Sequence, residues 1–261
     1  MLYLAAVAPR DEIIAWCDEL LDSDAWDDYG PNGLQVAGAR EVSVVVTGVS
    51  AHLELFTRAA ALRAQMVLCH HGLIWRKGPE RIDERRRDRL KALFDADMSL
   101  AAYHLPLDAH GEIGNNALIC AELGLERGEP FGAAGGRPIG WVGRSDEGIA
   151  AGELLRRCTS AFTAGGRAPL LLGRGPDVVR SVAVVSGGGA GMLGEAVAAG
   201  VDALVTGEPS EPGMAEAEEA GIHLIAAGHY ATETFGIRAL GERVAERFGV
   251  QHRFVEVPNP V

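Results

Sequence analysis

The sequence is poor in cysteine, in aromatic residues and in basic charge, and it has no long hydrophobic run. Its four cysteines, Cys17, Cys69, Cys120 and Cys158, form no CxxC pair and fit no zinc-finger spacing. They read as buried, reduced thiols. Lys and Arg number 24 against 36 Asp and Glu, a formal charge of −12. Binding nucleic acid requires a basic face that displaces counterions, so nucleic acid is not an expected partner. The same acidic balance is compatible with recruiting metal cations. No segment approaches the roughly 18 apolar residues of a membrane span. The opening run from Met1 to Ala8 has no basic flank and is short for a signal peptide. A cytoplasmic protein with no membrane partner is expected.

What is present suits a globular protein: 261 residues, 48% hydrophobic and 23% charged. A chain of this length buries about 70–75% of its unfolded surface, so it needs no disulfide or structural metal to fold. A metal, if bound, serves chemistry.

Helical periodicity covers 10–22, with Ile13, Ile14, Cys17, Leu20 and Leu21 on one side. A loop rich in Asp, Gly, Pro and Asn follows over 23–32. Residues 42–47 and 64–69 read as buried strands flanking a helix over 51–63. A charged helix over 81–95, a strand over 99–103, a loop to Asn116 and a helix over 117–123 complete this half. The Gly-rich stretch from Gly124 to Gly143 reads as a joint. Strands over 179–185, 203–206 and 223–227 then alternate with helices over 192–198, 213–220 and 231–248. Such alternation implies an α/β fold with mainly parallel sheets. The expected domains are 1–124 and 125–261, packed as one unit.

The halves resemble one another. Residues 43–70 lie over 181–208 without a gap, which sets His70 on Glu208. Farther on, His104-x3-Asp108 falls on His229-x3-Glu233. Two successive matches in the same order point to an internal duplication. A metal site between the two halves is the expectation.

His70 and His71 sit at the carboxyl end of a strand, the edge where open parallel sheets bind ligands. Neighbouring strand side chains point opposite ways, so both can face one site only if the chain turns there, and Gly72 permits a turn. His104 and Asp108 enclose Leu105-Pro106-Leu107, and the proline makes a loop the expected conformation. Taken alone, Asp108 could simply cap a turn. His229 and Glu233 are spaced i, i+4, the spacing of two ligands to one ion on a helix face. Four histidines and two carboxylates exceed the three or four protein ligands of one catalytic zinc. They suit two ions about 3.5–4 Å apart. Mixed imidazole and carboxylate donors favour zinc, iron, manganese, cobalt or nickel over calcium or magnesium. Asn115 and Asn116 are candidates to orient those ligands.

Gly189-x-Gly191-x-x-Gly194 follows a strand, with Glu208 19 residues beyond Gly189. That resembles a dinucleotide fingerprint, but the helix is short and the motif lies in the second half. A tight turn is the better reading than NAD binding. The charged run from Glu80 to Arg89 reads as a solvated helix face. Arg76 and Lys77, close to His70 and His71 in sequence, could hold a phosphorylated substrate.

Several pieces together resemble the Nif-three-like family, whose members are often named GTP cyclohydrolase 1 type 2 proteins. They are Trp26-Asp27 through Asn32-Gly33-Leu34-Gln35-Val36; Cys69-His70-His71-Gly72 with Trp75; and His104-Leu105-Pro106-Leu107-Asp108 with Gly114-Asn115-Asn116. Thr206-Gly207-Glu208 and Gly228-His229-Tyr230-x2-Glu233 follow in the family's order. The length matches the short bacterial form, which lacks an inserted middle domain. The resemblance implies a duplicated α/β fold, a dinuclear metal centre and a hexameric toroid of identical chains. It implies His70, His71, His104, Asp108, His229 and Glu233 as metal ligands. The family name implies a metal-activated water attacking C8 of the purine of GTP and releasing formate, with Glu233 or a histidine as the proton carrier. A nucleotide or phosphorylated small molecule would then be the substrate, its phosphates met by Arg76, Lys77 and the loop from Gly187 to Gly191. The alternative is a non-catalytic metal-handling or regulatory protein. Two positions depart from the family pattern. Ser50 stands where many members are acidic, and Pro209-Ser210-Glu211 replaces a more polar stretch.

Overall fold

The computed structural model describes residues 6–261, so the opening apolar run as far as Ala5 lies outside the described residues. Contacts divide the chain into two compact units. One ends at Leu107 and takes back Gly236–Val257; the other comprises Asp108–Phe235 and Pro258–Val261.

In the first unit, β1 (Ala8–Pro9) leads into α1 (Arg10–Leu21), which buries Ile13, Ile14, Cys17 and Leu21 along one stripe. The helix stops at Asp22, which takes the left-handed conformation at φ 50°. β2 (Gly33–Val36), β3 (Glu41–Val42) and β4 (Val44–Ser50) follow. α2 (Leu53–Ala61) begins where the His52 ring accepts the amide of Leu55, and it buries Leu55, Phe56 and Ala59. β5 (Met66–His71) is almost wholly buried, as a central parallel strand should be. α3 (Glu84–Asp95) starts on an Asp83 cap, and β6 (Ser99–Ala102) follows. The charged run around α3 is largely solvated and pairs within itself, as in Arg85–Asp83 and Arg87–Asp88.

The loop expected over 104–108 is instead a short helix, α4 (Leu105–Ala109). Pro106 sits in its first turn, where a missing N–H breaks no intrahelical bond, so the proline starts this helix rather than preventing it.

In the second unit, α5 (Asn115–Glu122) precedes β7 (Glu126–Ala134) and β8 (Arg137–Ala150). These two strands pair antiparallel, so the stretch from Gly124 to Gly143 is a β-hairpin and not a joint. Gly135 and Gly136 make its turn with φ of 57° and 76°, the positive pair that a tight hairpin requires. Next come α6 (Ala151–Ala161), β9 (Leu170–Leu172), β10 (Val178–Val185), α7 (Leu193–Ala198), β11 (Ala203–Thr206), α8 (Gly213–Ala220) and β12 (His223–Ala226). The single helix expected over 231–248 is two: α9 (His229–Thr232) and α10 (Thr234–Phe248), parted at Glu233. The chain closes on β13 (Gln251–Phe254), a strand with no clear sequence signal.

The first unit's sheet runs β13-β4-β5-β6-β2, parallel except for β2 at its edge. The second runs β7-β8-β10-β11-β12-β9, with β10, β11 and β12 as a parallel centre flanked by antiparallel strands. Registers such as Val46–Val67–Leu100 and Val184–Val205–Ile225 align apolar side chains across each sheet. Leu55, Phe56, Leu93 and Met98 close one core; Ile119, Leu154, Phe162 and Val179 close the other. Each fully buried side chain of this size contributes about 1.5–3 kcal/mol. All four cysteines are buried and unpaired with one another. Burial pushes the thiols of Cys120 and Cys158 up to about 12, so they stay protonated and unreactive. Among the described residues no helix is long and apolar enough to cross a membrane.

Candidate metal centre

In the first unit, β5 ends on His70 and His71, and β6 is followed by His104 at the start of α4. The imidazoles gather at this strand edge. Ring centroids lie 4.8 Å apart for His70–His71, 5.0 Å for His70–His104 and 5.5 Å for His71–His104. One ring nitrogen from each lies within 4.8 Å of the others, a spacing that can hold a metal ion. Gly72 follows at once, but its backbone is ordinary. A Cβ there would lie 2.3 Å from the Gln35 amide, whose oxygen accepts the N–H groups of Leu73 and Ile74, so a side chain at 72 would displace that amide.

The orientation of each ring is fixed from behind. His70 Nδ1 is 3.0 Å from the carbonyl of Tyr103. His71 Nδ1 is 3.1 Å from Ser50 Oγ. His104 Nδ1 is 2.7 Å from Oδ1 of Asp28. Nδ1–H as donor is the tautomer that leaves Nε2 a lone pair, and such outer partners are the usual companions of metal-bound imidazoles. Asp28 is itself buried and also accepts Asn32 Nδ2 and the amides of Tyr29 and Leu105. Burial favours its neutral form, yet His104, Asn32 and the Leu105 amide outweigh that and hold the carboxyl below its usual range.

In the second unit, His229 opens α9 and Glu233 follows it. His229 Nε2 lies 3.0 Å from Glu233 Oε1. Two donors each about 2.0–2.1 Å from one ion, at right angles, would be separated by about that distance. His229 Nδ1 is 2.5 Å from Oε1 of Glu208. Burial alone would lower the His229 pKa, but Glu233 and Glu208 push it up to about 9. A ring between two carboxylates thus holds a positive charge where a cation would sit. Asp108, also buried, accepts Asn115 Nδ2 at 2.8 Å and Ser186 Oγ at 2.9 Å.

Of the two asparagines expected to orient ligands, Asn115 hydrogen-bonds the Asp108 carboxylate. Asn116 instead bonds the Ile139 carbonyl and the Ser186 amide, fastening α5 to the sheet. The glycine motif after β10 is a 3-10 turn, Gly189–Met192, whose Gly189 amide bonds Thr206 Oγ1. Glu208, set out in sequence like a ribose acid, is engaged by His229. Asp28 and Glu208 are two carboxylates bonded to the candidate histidines to which sequence reasoning assigned no role at the metal site. Asp28 is 76 residues from its histidine, a separation with no local signature. Glu208 did carry signals: it is the counterpart of His70 in the internal repeat and closes the Thr206-Gly207-Glu208 piece.

The family model for Duf34/NIF3 (NGG1p interacting factor 3) matches residues 8–260. The chain belongs to this family. A relative from Pseudomonas aeruginosa, named GTP cyclohydrolase 1 type 2 homolog, is 41% identical over 248 residues, covering 95% of this chain and 97% of that one. The solved structure of protein ybgI, described as of unknown function, superposes with a TM-score of 0.91 at 40% identity, covering 97% of this chain and all of that one. The crystal structure of a Thermus thermophilus protein gives a TM-score of 0.87 at 35% identity, with 97% and 100% covered. Mixed α/β architecture is therefore the fold of the family, and its histidine and carboxylate groups can bind metal in this chain.

Proposed function

We propose that His70, His71, His104, Asp108, His229 and Glu233 ligate two divalent transition-metal ions, and that the protein is a hydrolase of the GTP cyclohydrolase 1 type 2 kind. Zinc, iron, manganese, cobalt and nickel all suit this donor set. One observation carries the reading. Nδ1 of each of the four histidines lies 2.5–3.1 Å from a protein oxygen, so Nε2 is the nitrogen each can turn toward an ion; in His229 that atom lies 3.0 Å from Glu233 Oε1. A fold needing four histidines only for structure has no reason to aim them this way.

When bound, such ions supply Lewis acidity and a water of lowered pKa. The chain's own residues do the rest. Asp28, Glu208, Ser50 and the Tyr103 carbonyl hold the imidazoles in place. Asn115 and Ser186 fix the Asp108 carboxylate. Glu233, nearly fully buried, is assigned to carry the proton between nucleophile and leaving group at its carboxylate, where a low local dielectric strengthens each interaction. The substrate would be a nucleotide or phosphorylated small molecule. Assembly into a hexamer of identical chains, in the cytoplasm, belongs to the same reading.

A second reading, metal handling without turnover, has one feature in its favour. Six protein donors on two ions leave few coordination positions for substrate. Elemental analysis of protein purified without added metal separates the cases, beside a His70→Ala/His229→Ala variant. About two ions per chain in the parent, largely lost in the variant, supports the centre. Formate release from GTP by that preparation then supports the hydrolase. Metal without turnover favours the carrier, and no metal even after addition removes both.

A further inference from the structure

The first unit has a cleft of about 540 Å³ beside the histidine triad, lined by Asp27, Asp28, Tyr29, Trp75, Arg76 and Lys77. Its size is that of a small-molecule site. Two loops distant in sequence build it. The Arg76 amide donates to the Tyr29 carbonyl at 2.8 Å, and Trp75 Nε1–H donates to the Gly72 carbonyl at 2.9 Å. Those bonds set two aromatic rings at one opening before any ligand arrives. Both rings adjoin His104, with centroids 5.3 Å away for Trp75 and 5.9 Å for Tyr29. Tyr29 is 62% exposed, an unusual setting for a tyrosine that serves only the core.

The charges of the cleft restrict what it can take. Asp28 is committed to His104, and Arg76 is committed to Asp27 in an ion pair. Lys77 is exposed, and among the described residues no carboxylate pairs with it. Lys77 is therefore the one uncommitted cation among the described residues that line the cleft beside the two aromatic rings, and with it the formal charges of Asp27, Asp28, Arg76 and Lys77 sum to zero.

We infer that this cleft is the substrate-recognition subsite, and that its ligand is a planar heteroaromatic ring bearing one compact anionic group. The inference rests on the hydrolase reading for the identity of the ligand as substrate. The ring stacks against Tyr29 and Trp75, and Lys77 meets the anion. Stacking is tolerant of ring identity because every nucleobase has a π-face. A triphosphate gains little here. Its further negative charges find no second uncommitted cation in the cleft, and they approach Asp27 and Asp28.

The test is a titration of the full-length protein, as purified and with its metal content measured, with guanosine, GMP and GTP. GMP is expected to bind more tightly than guanosine, and GTP no more tightly than GMP. Lys77→Ala should erase the gap between GMP and guanosine. Tyr29→Ala should weaken both by roughly tenfold or more, the range of one lost stacking partner. Trp75→Phe, which keeps a ring but loses the bond to Gly72, should weaken them less than Tyr29→Ala. Tyr29 is exposed, so its variant should fold as the parent does, and a thermal melt checks this. The inference is overturned if metal-loaded protein binds none of the three. It is equally overturned if Tyr29→Ala leaves affinity unchanged, or if GTP binds at least tenfold more tightly than GMP. Binding without turnover removes the hydrolase reading, and with it the ligand's identity as substrate, while supporting the cleft as the site of such a ligand.

Discussion

Oδ1 of buried Asp28 lies 2.7 Å from Nδ1 of His104, across 76 residues of sequence. The carboxylate fixes both the rotation and the tautomer of the ring, and three other donors fix the carboxylate in turn. Replacing Asp28 with asparagine should therefore weaken metal retention by about 10–100-fold, the usual cost of losing such a partner. Competition with a chromophoric chelator measures it. Unchanged retention in a folded Asp28→Asn protein would show that His104 needs no such orientation.

Asn115 and Asn116 are neighbours with different tasks, and their variants should separate. Asn116→Ala leaves the Ser186 amide and the Ile139 carbonyl without their buried partner. A loss of about 2–4 kcal/mol in urea denaturation is expected, with metal content per folded chain preserved. Asn115→Ala should instead cost metal, because Asp108 loses the amide that holds Oδ1.

Gly187 follows β10 at φ +60°, and a Cβ there would lie 2.3 Å from Glu233 Oε1. Gly187→Ala therefore meets both backbone strain and a displaced Glu233 carboxylate. Alanine should destabilise the fold by about 1 kcal/mol or more. It should also remove metal, read by elemental analysis. A variant as stable and as metal-rich as the parent would contradict this placement of Glu233.

His252 gives a pH dependence of definite sign. Its Nε2 is 2.8 Å from Thr47 Oγ1, and burial, followed by Arg253 and Arg238, lowers its pKa to about 4. In the unfolded chain the same group titrates near 6.5. The native state is thus the one that resists protonation, and its stability from this group is complete above pH 6.5. It is lost as pH falls from there toward 4. Solvent screening at a partly exposed ring limits the effect to about 1–2 kcal/mol. Denaturation of the parent and of His252→Gln at pH 7.5 and pH 4.5 checks this. The parent should lose more stability between the two than the variant does.

The strand–helix–strand order of both units is legible in the sequence because parallel strands such as β5 and β11 are buried on both faces, and their composition says so. The alignment of His104-x3-Asp108 with His229-x3-Glu233 is legible for a related reason, since both pairs follow a strand. What the sequence hides depends on partners remote along the chain. β13 is short and half exposed, so only β4 makes it a strand. Pro106 reads as a breaker until its position in the first turn is known. Glycines 135 and 136 resemble linker residues when they are hairpin residues. Asp28 shows the same limit at the site, where a carboxylate in a polar loop becomes significant only through the histidine it meets.

β13 has a consequence in time. It pairs with β4 at one edge of the first unit's sheet, yet about 150 residues separate it from β6, the strand that precedes it in that unit. At about 5–20 residues per second, a ribosome takes roughly seven to thirty seconds to make that stretch. Throughout that interval the β4 edge offers unpaired N–H and C=O groups to any strand nearby. The unit begun first thus waits for a strand made after nearly all of the second unit, and the nascent chain must keep that edge from foreign strands until β13 emerges.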